Sequence, residues 1–219
     1  MKRIGVMLAG CGVKDGSEIH EATLTLFYLS RLGVEYVCIS PNEPQSQVIN
    51  HATDEVTSES RNTLTESARI ARGSVTPLSD ITADDISALI MVGGLGAASN
   101  LSDYAKAGRN MTVHPELADL LTNLHEQKKP IGALCIAPVI LAKVFGGSDA
   151  KVEVTIGSDV NVATDIKAMG ALHVIKLVDE ILVDGPNRFV TTPAYMLAEN
   201  IAEIGPGIRK AVETVVDMA

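Results

Sequence analysis

Short apolar runs alternate with helical stretches along the chain, and this alternation constrains the fold more than any other feature of the sequence. "RIGVMLA" from Arg3 to Ala9, "VEYVCIS" up to Ser40, "ISALIMV" from Ile86 to Val92 and "PIGAL" up to Leu134 each read as a buried strand. Helical patterns fall between them. One runs from about Glu18 to Leu32 and ends at Gly33, with Asp15 and Glu18 at capping-box spacing. Another, "NTLTESARIARG", carries that spacing from Thr63 to Glu66 and finishes on Gly73. "HPELADLLTNLHEQ" places Leu117, Leu120, Leu121 and Leu124 on one helical face, with Pro115 in the first turn. "APVILAKVF" also has helical character. The stretch from Pro41 to Gly73 shows no core strand. The remainder predicts strands near "KVEVTIG", "EILVDG" and "RFVTTPA", a short helix around "TDIKAMGA" and a closing helix "IRKAVETVVDMA". "VDGPNRF" predicts an antiparallel hairpin at an edge. The expected fold class is α/β: one domain over residues 1–219, with a doubly wound, mostly parallel sheet and helices on both faces.

Composition narrows the function. The chain is 46% hydrophobic but only 3% aromatic, so its core is built from Ala, Val, Ile and Leu. A formal net charge of −9, with no basic cluster longer than Lys128 and Lys129, argues against nucleic acid as a partner. No run approaches the roughly 18 to 20 apolar residues that span a bilayer, and "MKRIGVMLAGCG" is too short in apolar residues for a secretory leader. No membrane association and a cytoplasmic location are expected. Cys11, Cys38 and Cys135 form neither a CxxC pair nor a ligand spacing, which predicts free thiols. Cys38, in "EYVCIS", reads as a small buried hydrophobe. No metal is expected, because no HExxH or comparable spacing exists among the five histidines.

Cys135 stands at the seam of a strand and a helix in "IGALCIAPVIL". In a doubly wound sheet that seam lies at the carboxyl edge, where ligands gather. Two readings stand there. As a nucleophile elbow, the turn points the thiol out of the sheet, and the amides of the following helix favour the thiolate over a thiol of reference pKa about 8.5. As a core residue, the cysteine is merely buried. Gly93 and Gly94, directly after the third strand, offer amides for an oxyanion or form a plain turn. The loop after the first strand offers the acids Asp15, Glu18 and Glu21, and spacing favours helix capping for Glu18. "HPE", from His114 to Glu116, opens an ordinary helix, and His125 suits a helix end.

"GVMLAGCGVKDGSEIHEA", "INHATDEVTSESRNTLTESARIARG", "MVGGLGAASNLS", "GALCIAPVILAK", "TIGSD" and "VTTPAYMLAENIAE" together resemble the ElbB branch, the enhancing lycopene biosynthesis proteins, of the ThiJ/PfpI, class I glutamine amidotransferase-like superfamily. The resemblance covers almost the whole chain. It implies a flavodoxin-like fold, commonly dimeric, with Cys135 as nucleophile, Glu18 as a protonated acid beside the thiolate, and the amides of Gly94 and Ile136 as the oxyanion site. It further implies a glyoxalase of small aldehydes, turning glyoxal into glycolate without a cofactor. Ile136 stands where PfpI-type members carry a histidine, which argues against proteolysis and glutamine hydrolysis. His20 and Glu18 are the candidate general bases. The alternatives are a redox or carbonyl-stress sensor, or an accessory amidotransferase-like protein linked to isoprenoid biosynthesis, neither with turnover of its own.

Overall fold

The computed structural model describes residues 2–149 and 151–219. In chain order it contains β1 (Arg3–Met7), α1 (Ile19–Arg31), β2 (Glu35–Ser40), β3 (Ile49–Asn50), β4 (Glu55–Val56), α2 (Thr63–Ile70), β5 (Val75–Pro77) and β6 (Ala88–Met91). There follow α3 (Leu95–Ser99), α4 (Tyr104–Ala107), α5 (Pro115–Glu126), β7 (Ile131–Leu134), α6 (Pro138–Phe145), β8 (Glu153–Val154) and α7 (Val160–Ala168). The chain closes with β9 (Leu172–His173), β10 (Leu182–Asp184), β11 (Phe189–Thr192) and α8 (Ile201–Met218).

Seven strands form the central sheet in the order β10-β11-β7-β6-β1-β2-β5. All pair in parallel except β10, which returns antiparallel to β11 through the hairpin that "VDGPNRF" predicts. β1, β6 and β7 are buried on both faces except for Arg3, which is why they read as continuous apolar runs instead of alternating ones. α1 packs against α8, and α8 also covers β6, β7 and β11; α5 and α6 pack together against β7. Leu117, Leu120, Leu121 and Leu124 of α5 are all buried, so truncating any one to alanine costs about 2–5 kcal/mol.

The winding places the site. From β1 the chain moves outward through β2 to β5, then crosses back past β1 to β6, so the reversal falls between β1 and β6. Met7 pairs with Met91, Met91 with Ala133, and Leu134 with Thr192, which brings the loops after β1, β6, β7 and β11 to one carboxyl edge.

Several local expectations shift. The N-cap of α1 is Glu18 itself, accepting from the Glu21 amide, while Asp15 turns away to accept from the Ile49 amide. Asn62, not Thr63, caps α2. "VTP", from Val75 to Pro77, forms the edge strand β5, half-buried and too short for a hydrophobic run to announce it. The strand at Glu153–Val154 pairs with β9 outside the central sheet. α8 begins at Asn200's cap, well before "IRKAVETVVDMA", and carries Pro206 inside it; the proline hid the five residues, Ile201 to Gly205, that are helical before it.

Candidate active site

Cys135 lies directly after β7 with φ of 58°, a left-handed conformation that costs a residue with a Cβ about 1–2 kcal/mol. Its amide donates to the Thr192 carbonyl at 3.0 Å, tying the strained turn to the end of β11. The side chain is only 7% exposed. Three groups address its sulfur: the backbone amides of Gly94 and Ile136 donate to it, and the Glu21 carboxyl shares a hydrogen bond with it.

Two glycines make that convergence possible. A Cβ on Gly93 would lie 2.4 Å from the Cys135 Cβ and 2.6 Å from Glu21 Oε2, so thiol and carboxyl both rest on a bare Cα. Gly94, at φ of 91°, lies against the Glu18 amide and the Gly16 carbonyl, each 2.4 Å from where its Cβ would stand. Only glycine turns its amide toward the sulfur from that position.

The acid at the thiol is Glu21, and this corrects the role carried to Glu18. The Glu18 side chain is occupied as helix cap, its Oε2 accepting from the Glu21 amide at 2.7 Å. One helical turn later, Glu21 points back under the sheet edge, fully buried. Its Oε2 accepts from the Gly93 amide at 2.8 Å, and its Oε1 from the Tyr195 amide at 3.4 Å. Burial first and the charge of Glu18 second push the Glu21 carboxyl up to about 8. Burial also pushes the Cys135 thiol up, as does Glu21 whenever it is ionised, and the two amides pull it down. The sequence reading anticipated only those amides.

The other expected residues separate. Gly94 and Ile136 are at the sulfur. His20 sits half-exposed on the first turn of α1, its Nδ1 at 2.7 Å from the Tyr195 hydroxyl and 3.9 Å from Glu18 Oε1. Cys38 is buried in β2, where desolvation pushes it up to about 11. Cys11 lies on the loop after β1, and β6 stands between β1 and β7 in the sheet. His114 is the N-cap of α5 and faces Glu43, while His125 packs on the rings of Phe145 and Phe189.

Sequence reasoning underrated Glu21 and missed Tyr195. The signal for Glu21 was present: an acid at the third helical position, three residues after a capping acid, on the face that α1 buries. Tyr195 follows Pro193 and Ala194, and Ala194 is a second residue with positive φ, 44°, at this edge. Nothing in "TTPAYM" announces that turn.

The model of the DJ-1/PfpI family matches residues 9–152. The ES1 protein homolog, mitochondrial, of Rattus norvegicus is 44% identical over 99% of this chain and 84% of its own length. The glutamine amidotransferase-like class 1 domain-containing protein 3, mitochondrial, of Homo sapiens is 44% identical over 99% of the chain and 83% of its own. A crystal structure from Ehrlichia chaffeensis, described as an isoprenoid biosynthesis protein with amidotransferase-like domain, superposes with a TM-score of 0.93 at 37% identity, covering 100% of this chain and 99% of that one. Among the described residues no helix is long and apolar enough to cross a membrane.

Proposed function

The chain belongs to the DJ-1/PfpI family, and we propose that it is a cofactor-independent glyoxalase that turns glyoxal, or a similar small aldehyde, into a hydroxy acid on Cys135. The carrying observation is the strained Cys135 turn, with two amides and one buried carboxyl directed at a single sulfur.

The two ionisable groups titrate together. Burial leaves no room for two negative charges, and Glu18 opposes charge on Glu21 from behind. A neutral Glu21 does not repel the thiolate, and the amides of Gly94 and Ile136 pull the buried thiol toward that form, so the reacting species is a thiolate beside a protonated acid. The thiolate attacks one aldehyde carbon of glyoxal and forms a carbon–sulfur bond as the carbonyl π electrons move to oxygen. The amides hold that oxyanion and Glu21 supplies its proton, giving a hemithioacetal. Transfer of the carbon-bound proton to the neighbouring carbon converts it to the thioester of glycolate. Water then cleaves the carbon–sulfur bond and restores the thiol. The sum is glyoxal plus water giving glycolic acid, with no external oxidant or reductant.

Acid quenching followed by peptide mass spectrometry tests this. The reading predicts a glyoxal adduct on the Cys135 peptide that rises and decays as glycolate appears, and no adduct there in Cys135→Ala. A permanent adduct without glycolate would replace it with a sensor. The accessory reading draws on the Ehrlichia chaffeensis relative, described as an isoprenoid biosynthesis protein with amidotransferase-like domain, and glutaminase activity arising only with an added partner would favour it.

A further inference from the structure

The glyoxalase reading leaves one step without an agent: something must take the carbon-bound proton of the hemithioacetal and return it to the next carbon. Resting on that reading, the geometry points to His20 as the base that carries this proton, with Tyr195 and Glu18 as the positioning residues that hold its ring.

Three elements converge on His20. It precedes Glu21 on α1, and the carboxyl of Glu21 holds the Cys135 sulfur. Tyr195, on the loop after β11, donates its amide to the other oxygen of that carboxyl and sets its hydroxyl 2.7 Å from His20 Nδ1. The two rings lie 5.8 Å apart. Glu18 completes the cluster, with Oε1 3.9 Å from the same Nδ1 and Oε2 pinned by the helix cap.

This arrangement selects a tautomer. Glu18 Oε1 lies beyond hydrogen-bond reach of Nδ1, but its charge favours the tautomer that carries hydrogen on that nitrogen. Nδ1–H then donates to the Tyr195 oxygen, with the Glu18 charge behind it, and Nε2 keeps a free lone pair. The logic is that of an acid orienting a catalytic imidazole, with a phenol interposed. The charge of Glu18 also stabilises the imidazolium that forms when Nε2 takes a proton. The ring is half-exposed, so substrate reaches it without displacing the core.

The step balances. Nε2 takes the proton from the carbon bonded to sulfur, and the electron pair forms a carbon–carbon double bond as the neighbouring aldehyde oxygen becomes an enolate. The imidazolium returns that proton to the neighbouring carbon, and the hydroxyl proton passes from the first oxygen to the second. The thioester of glycolate results, with His20 neutral again. The charged or titratable groups facing the ring are Glu18 and Tyr195; Tyr195 in turn feels Glu18, Glu21 and Glu203.

The test follows glyoxal turnover and the acid-quenched Cys135 adduct in the full-length wild type and in His20→Ala, His20→Gln, Tyr195→Phe and Cys135→Ala. His20→Ala is expected to lose kcat by about 10²-fold or more with little change in KM. The hemithioacetal should accumulate on Cys135, and added imidazole should restore part of the rate. His20→Gln should lose kcat as His20→Ala does, and Tyr195→Phe should lose about 10-fold. Unchanged iodoacetamide alkylation of Cys135 in the His20 and Tyr195 variants would show that the site is intact. Wild-type kcat and pH profile in His20→Ala, beside an inactive Cys135→Ala, would overturn the inference alone. Turnover that survives in Cys135→Ala, or is absent from the wild type, would overturn the glyoxalase reading and this inference with it.

Discussion

Cys11 and Cys135 stand at the carboxyl edge of the same sheet, and their surroundings are opposite. Cys11, on the loop after β1, is the more exposed thiol, yet burial together with the charges of Glu66 and Asp15 raises its pKa against only Arg69. Cys135 is almost closed off and burial raises its thiol as well, but its sulfur receives two amide hydrogen bonds and faces an acid that burial keeps protonated. In the proposed reaction exposure does not select the nucleophile. Directed donors do, and the fold supplies them only where a left-handed cysteine meets a bare glycine.

Removing each thiol should separate the two regions most sharply. Cys135→Ala is expected to reduce glyoxal turnover by at least about 10³-fold, whereas Cys11→Ala should stay within about twofold of wild type. Equal losses in steady-state assays would erase the contrast.

Filling the space beneath the thiol comes next. Gly93→Ala forces the Cys135 Cβ and Glu21 Oε2 apart and should cost about 3 kcal/mol in denaturant unfolding, with activity lost as well. Gly185→Ala, where nothing lies within 4 Å, should change stability by less than about 1 kcal/mol.

The pH dependence of stability sharpens the account of Glu21. Its folded pKa of about 8 stands above the unfolded carboxylate value, so between roughly pH 4.5 and 8 the folded chain holds a proton that the unfolded chain releases. Stability contributed by this group thus falls as pH rises through that window. Glu21→Gln removes the effect: its stability relative to wild type should improve by about 3 kcal/mol from pH 5 to pH 8, whatever constant offset the altered hydrogen bonds impose. A pH-independent difference in thermal unfolding would show that Glu21 is ionised in the folded state.

Alkylation gives the smallest and most specific contrast. Near pH 7, iodoacetamide should modify Cys135 faster than the more exposed Cys11, read by peptide mass spectrometry.

The layers of the fold were legible because buried parallel strands are written as continuous apolar runs and α5 as a leucine stripe. Cys135 was legible for the same reason, since the end of β7 and Pro138 at the start of α6 bracket it. Glu18 and Glu21 were harder. Both lie at the start of one helix, and spacing does not say which carboxyl caps the helix and which turns inward; Gly93, on the loop after the distant strand β6, decides it by donating to Glu21. Tyr195 was illegible, because its place depends on a positive φ at Ala194, a residue type that gives no sign of one.

The most direct test of the central claim is the count of glycolate molecules formed from glyoxal per molecule of protein, in the wild type and in Cys135→Ala. The account predicts many turnovers in the wild type and none above background in the variant. A wild-type yield that stops at one equivalent, or a variant that turns over normally, would contradict it.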